Sequence, residues 1–168
     1  MRWFLLLSRV VAGCGLDARI KKLSEAEYMH YYALRPFMSD DDRKAFLKLK
    51  TEEERNQWLK DKGLWQTFYK YEPNIRQAIV DGAVQKGWTG EMVYMAWGAP
   101  FDSRKLTGRP ATKSQLLVYR FERHEDGVVL VWTPGSKTEY KSIGRFTRSV
   151  YLDDDRVTEI VEEEDWSN

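Results

Sequence analysis

The chain has 168 residues, 42% of them hydrophobic and 32% charged, a balance that fits one ordinary globular core rather than disorder. With 27 basic against 26 acidic residues the net charge is +1, which leaves none of the basic excess that nucleic-acid binding calls for. A single Cys excludes an internal disulfide framework, and two well-separated His residues argue against a His-based metal site.

The first residues pose a targeting question. Met1-Arg2 is followed by the apolar run Trp3-Phe4-Leu5-Leu6-Leu7, interrupted at Arg9, and then by Val11-Ala12-Gly13-Cys14. A positive start, a short apolar run and small residues before a processing point describe a secretory signal. The same stretch also reads as the first helix of a cytosolic chain that happens to contain a Cys. Leu16 to Leu23 is short and charged and reads as a tether.

Three capping boxes follow: Ser24 with Glu27, Ser39 with Asp42, and Thr51 with Glu54. They predict helices over 25–34, 40–49 and 52–61. Leu64, Trp65, Phe68, Tyr69 and Tyr71 suggest an aromatic helix, and Pro73 opens another that runs to Gly82. Asp40-Asp41-Asp42 resembles a metal cluster, but acids in a first helical turn are favoured by the helix dipole alone. His30 lies among Tyr28, Met29, Tyr31 and Tyr32 and reads as a packed residue.

Residues 87–100 form the hinge between a helical and a strand half. Thr89 is a good N-cap, and Trp88 with Val93 has the spacing of a hydrophobic staple. Trp88 and Trp97 are expected to be largely buried. Gly98 is expected at positive φ, with Pro100 preventing the helix from resuming.

Phe101 to Ser114 is polar and basic, with Gly108 and Pro110, and reads as a long loop. Strands are predicted over 115–121, 128–132, 146–152 and 156–161. They are separated by the turn signals Asp126-Gly127, Pro134-Gly135 and Asp153-Asp154-Asp155. Consecutive hairpin-like links imply an antiparallel meander of three to four strands. The strand before 146 is open to extension back through Tyr140, with Gly144 as a bulge, and the acidic tail Glu162 to Trp166 reads as frayed. The expected class is α+β, N-terminal helices packed on the meander as a two-layer sandwich. It divides as 1–14 signal and lipobox, 15–23 tether, and 24–168 one domain with helices over 24–98 and sheet over 115–161.

His124 has no nearby Ser or Cys nucleophile, and Asp153 to Asp155 lacks the spacing of a calcium loop. No phosphate-binding glycine loop, zinc motif or nucleophile elbow is present, so no catalytic residue, cofactor or metal is expected. Candidate partner-binding residues are Arg104, Lys105 and Arg109 on the basic loop and Tyr119, Trp132 and Tyr140 near strand tips, because interfaces favour Arg, Tyr and Trp.

Several of these residues carry a family pattern. Cys14 in its lipobox, Gly87-Trp88-Thr89, Val93, Gly98-Ala99-Pro100 and Tyr151-Leu152-Asp153-Asp154-Asp155-Arg156-Val157 resemble the small lipoproteins of the outer-membrane β-barrel assembly machinery, the BamE or SmpA/OmlA type. A second resemblance, over residues 38–102, is to bacterial proteins with the GWxTD signature. It rests on Met38 to Arg43, Thr51 to Trp58, Gly87-Trp88-Thr89 and Trp97 to Asp102, and departs at Gly90-Glu91. The first resemblance implies a two-layer α/β sandwich used for protein contacts. It also implies lipidation at Cys14 and, with Gly15 rather than Asp following, a place on the outer membrane facing the periplasm. The expected function is then that of a scaffold or assembly factor that binds envelope proteins. A small-ligand-binding or enzymatic envelope domain, or an inhibitor-like module, is the alternative.

Overall fold

The computed structural model describes residues 18–134 and 142–164. The lipobox, Cys14, Tyr140 and Trp166 lie outside these residues. The class is α+β as expected: helices come first and an antiparallel sheet follows. The described residues divide into two compact units, one up to Ala99 and one from Pro100 onward. The division falls where the sequence changes from helical to strand patterning.

In the helical unit, α1 spans Glu25–Leu34 and leads into a 3-10 turn at Arg35–Phe37. Then come α2 (Asp40–Lys48), α3 (Glu52–Asp61), α4 (Leu64–Tyr69), α5 (Pro73–Val80) and α6 (Gly90–Trp97). All three capping boxes form. The hydroxyls of Ser24, Ser39 and Thr51 accept from the N–H groups of Glu27, Asp42 and Glu54 at 3.3, 3.1 and 3.2 Å. Each such cap is worth about 1 kcal/mol, which matters for helices whose apolar stripes are narrow. Thr89 caps α6 likewise, accepting from Met92 N–H at 3.3 Å.

Trp88 and Trp97 are buried, as the hinge reading requires. Gly98 has φ 79° and ψ −153°, which is not the left-handed helical cap but a region that glycine alone enters readily. Its N–H still closes the helix on Tyr94 O at 2.7 Å. No helix among the described residues is long and apolar enough to cross a membrane.

The sheet unit holds β1 (Asp102–Leu106), β2 (Ser114–His124), β3 (Val129–Val131), β4 (Ser142–Asp153) and β5 (Arg156–Glu164). Its order is β1-β2-β4-β5, with β3 also paired to β2. Two features differ from the expected meander. Five residues of the expected loop are strand, because Asp102 to Leu106 pairs with Val118 to Ser114. β4 lies beside β2 rather than β3: it zips along the whole of β2, whereas β3 offers only three residues. A register shift falls between Arg123 and His124, opposite Gly144. β5 runs on through Glu164, with Glu162 held by Arg148 at 2.8 Å.

The period of two is clear in β2. Leu117, Tyr119 and Phe121 are buried together with Phe146 and Val150, their partners or neighbours on β4. Phe121 and Phe146 stack at 5.1 Å between centroids. The β4–β5 turn has two residues, Asp154 (φ 47°) and Asp155 (φ 62°), both positive as a type I′ hairpin requires.

Candidate partner-binding surface

β1 and β3 lie end to end along the same edge of β2. Trp132 N–H bonds Arg120 O and Phe101 N–H bonds Val118 O, both at 2.8 Å. Carbonyls two residues apart point to the same side of a strand, so two separate chain segments continue one edge. Their seam is closed by side chains. The Arg120 guanidinium lies 3.6 Å from the Phe101 ring centroid and 5.6 Å from that of Trp132, and the two rings are 5.8 Å apart. Phe101 remains 44% exposed. A planar cation over an aromatic face, with a second ring alongside, is a favourable arrangement at a surface.

Of the residues selected from sequence, this edge gathers three. Arg104 and Lys105 are exposed on β1, and Trp132 is half-buried at the seam. Arg104 Nε is 2.6 Å from Asp102 Oδ2, an exposed pair that is screened by solvent.

Two others do not belong there. Tyr119 is fully buried on the apolar face, so its ring is core rather than contact. Arg109 is not a solubilising loop cation. Its guanidinium grips Asp153 through both Nε and Nη2, at 2.9, 3.2 and 2.7 Å, and lies over Tyr151. Asp153 also accepts from Ser114 Oγ (2.6 Å) and Thr158 Oγ1 (3.1 Å). The Arg109 bonds, then Ser114 and Thr158, hold the Asp153 carboxyl far below the ordinary carboxylate range. Asp154 completes the clasp by accepting from Lys113 N–H at 2.9 Å. The 107–113 segment is therefore pinned to the β4–β5 turn at its base.

Phe101 and Arg120 were missed from sequence. The signal that could have found them is the parity of β2: Arg120 shares a face with Leu116 and Val118, where a cation beside apolar neighbours calls for a covering group. Glu122, on that face too, is fully buried, with Arg145 Nε at 3.7 Å and His124 Nε2 at 4.0 Å.

The helical unit has two buried polar centres. Glu27 takes Ser24 N–H on one oxygen (2.7 Å) and Arg55 Nε on the other (2.5 Å). Burial opposes its ionisation, but the Ser24 and Arg55 bonds outweigh burial and hold the carboxyl below its usual range. His30 is 2% exposed, with Nε2 2.6 Å from Tyr69 Oη and its ring against Trp65 and Phe68. Burial, opposed by Glu27 and reinforced by Arg76, lowers its pKa from 6.5 to about 4.

That shift gives a pH test. The folded pKa lies below the unfolded one, so the stability contributed by neutral His30 is complete above pH 6.5 and is lost as the pH falls toward 4. The urea midpoint of the helical unit is expected to fall across this window, and His30→Phe to flatten the slope. An unchanged slope in His30→Phe would assign the acid sensitivity to the carboxylates instead.

Among the described residues no group of three or more His, Cys, Asp or Glu side chains is placed to hold a metal ion. Comparison with protein-family models, with curated proteins and with solved structures finds no match to this chain.

Proposed function

We propose that this chain is a lipid-anchored protein of the bacterial envelope, a scaffold or outer-membrane assembly factor that binds other envelope proteins. The anchor in this reading is Cys14, on the strength of Val11-Ala12-Gly13-Cys14 and the resemblance to BamE-type lipoproteins. The observation that carries the binding role is the β1 edge. It combines exposed Arg104 and Lys105 with a half-exposed aromatic, Phe101, stacked on Arg120. Interfaces use such Arg and aromatic anchors inside a polar rim.

Recovery of partners from envelope extracts tests the role. The triple variant Phe101→Ala, Arg104→Ala, Lys105→Ala is expected to stay folded and to lose at least one partner that the parent recovers. Cys14→Ser is expected to move the protein from the membrane fraction to the soluble one. A folded triple variant with the full set of partners would remove β1 from the interface, and unchanged fractionation of Cys14→Ser would remove the anchor.

A further inference from the structure

The sheet order ends in β1 on one side and β5 on the other, and the two ends carry opposite charge. β1 exposes Arg104 and Lys105 against one acid, Asp102; β5 exposes Glu159, Glu162, Glu163 and Glu164 against one cation, Arg156, so the net signs of the two ends are opposite. Charge on a terminal strand ordinarily discourages pairing with another chain. Here it discourages only like with like. β5 against β5 would set carboxylates side by side, and β1 against β1 would do the same with cations.

The topology permits the remaining combination. The path β1-β2-β4-β5 has an even number of strands, each antiparallel to the next, so β1 and β5 run in opposite directions. A second copy set alongside with the same face upward therefore brings its β5 to β1 as an antiparallel neighbour, with no inversion of the sheet. The rows agree as well. Arg104 is opposite Leu116, Leu116 opposite Tyr151, and Tyr151 opposite Glu159. Arg104 and Glu159 thus occupy the same row and the same face of the sheet, at its two ends. Lys105 lies in the next row, through Gln115 and Leu152 to Val157, and shares its face with Glu162 and Glu164 further along β5. The lengths are comparable too: β1 and β3 together line the 11-residue β2, and β5 has nine residues.

We propose that copies of this chain associate edge to edge, β1 of one copy pairing with β5 of the next. The contact is heterologous, so successive copies add in the same sense and form a short open chain or a ring. Main-chain hydrogen bonds hold the two edges, and the charges select the partner edge and the register. This goes beyond the scaffold reading and depends on neither the anchor nor an envelope partner.

The test is sedimentation velocity on the full chain across a concentration series at low and high salt. The parent is expected to grow in mean mass with concentration at low salt and to return to monomer at high salt, where exposed charges are screened. Arg104→Glu with Lys105→Glu makes both edges acidic, and the triple change Glu159→Lys, Glu163→Lys, Glu164→Lys makes both basic. Each variant alone is expected to weaken association at least tenfold. Mixed in equal amounts, they should associate again, because each then finds the opposite charge. Circular dichroism confirms folding; if a reversal disturbs it, Arg104→Gln and Glu159→Gln serve as the milder pair. A parent that stays monomeric at low salt, or reversals that leave its association unchanged, would overturn the proposal. The Glu159, Glu163 and Glu164 arm lies outside the partner surface proposed above, so its result separates self-association from partner binding.

Discussion

Arg55→Ala is expected to remove about 3–5 kcal/mol from the stability of the helical unit, measured by urea unfolding followed by far-UV circular dichroism. The Glu27 and Arg55 side chains are only 5% and 11% exposed, so neither charge is well hydrated. Removing the guanidinium strands the Glu27 carboxylate with the Ser24 N–H as its remaining main support. It also deprives Leu49 O of the hydrogen bond that Arg55 Nη1 donates. One side chain thus ties the start of α1 to the link between α2 and α3. Arg55→Lys should not restore the parent, because a single ammonium cannot reproduce a fork that serves both a carboxylate and a carbonyl. The informative control is the pair Glu27→Gln with Arg55→Met. Gln still accepts from Ser24, and no charge is left buried, so the double variant should be more stable than Arg55→Ala. A loss below about 1 kcal/mol would mean that the pair behaves as a surface bridge and that water reaches it.

What the sequence could disclose was set by the distance between interacting residues. The capping boxes close over three residues, so the starts of α1, α2 and α3 were readable from Ser24, Ser39 and Thr51 alone. The alternation Leu117-Tyr119-Phe121 likewise marks an apolar face, and it should have placed Tyr119 in the core rather than among the partner residues. The Glu27–Arg55 pair is 28 residues apart and Arg109–Asp153 is 44 apart, and neither leaves a local trace. In sequence Arg109 reads as a loop cation because its partner reads as an ordinary turn acid. Asp102 to Leu106 has no β-propensity to speak of. It becomes a strand because β2 offers it an open edge, a tertiary cause that propensity does not contain. The same holds for Glu162 to Glu164, which like-charge repulsion would fray were Arg148 not across the ladder.

The seam at Phe101 shows how a chain-order reading and a sheet differ. Phe101 and Trp132 are 31 residues apart in sequence, yet they meet because β1 and β3 share one edge of β2. Expecting the strands in sequential order had put the second strand between the first and the third, which would bury Trp132 inside the sheet. Its position at an outer edge, beside an exposed Phe and a stacked Arg, makes it part of a surface, where its selection as a partner-binding residue had placed it.

Trp97→Ala is expected to cost about 3–5 kcal/mol, a large part of what a small unit has to lose. Trp97 is 6% exposed at the last turn of α6, and its indole N–H donates to Gly82 O at 2.9 Å. That carbonyl follows α5, at a residue with φ 67°, so the indole fastens the end of one helix to the turn after another. The side chain therefore contributes twice, through the volume it fills and through the carbonyl it satisfies. The two contributions separate with a second variant. Trp97→Phe keeps most of the apolar contact but leaves Gly82 O without its donor, and should cost about 1–3 kcal/mol. If Trp97→Phe is as damaging as Trp97→Ala, the hydrogen bond dominates and the role of Trp97 is to position the turn at Gly82. If Trp97→Ala melts like the parent, the indole does not fill the core between α5 and α6. The helix from Thr89 to Gly98 would then be held by its caps alone.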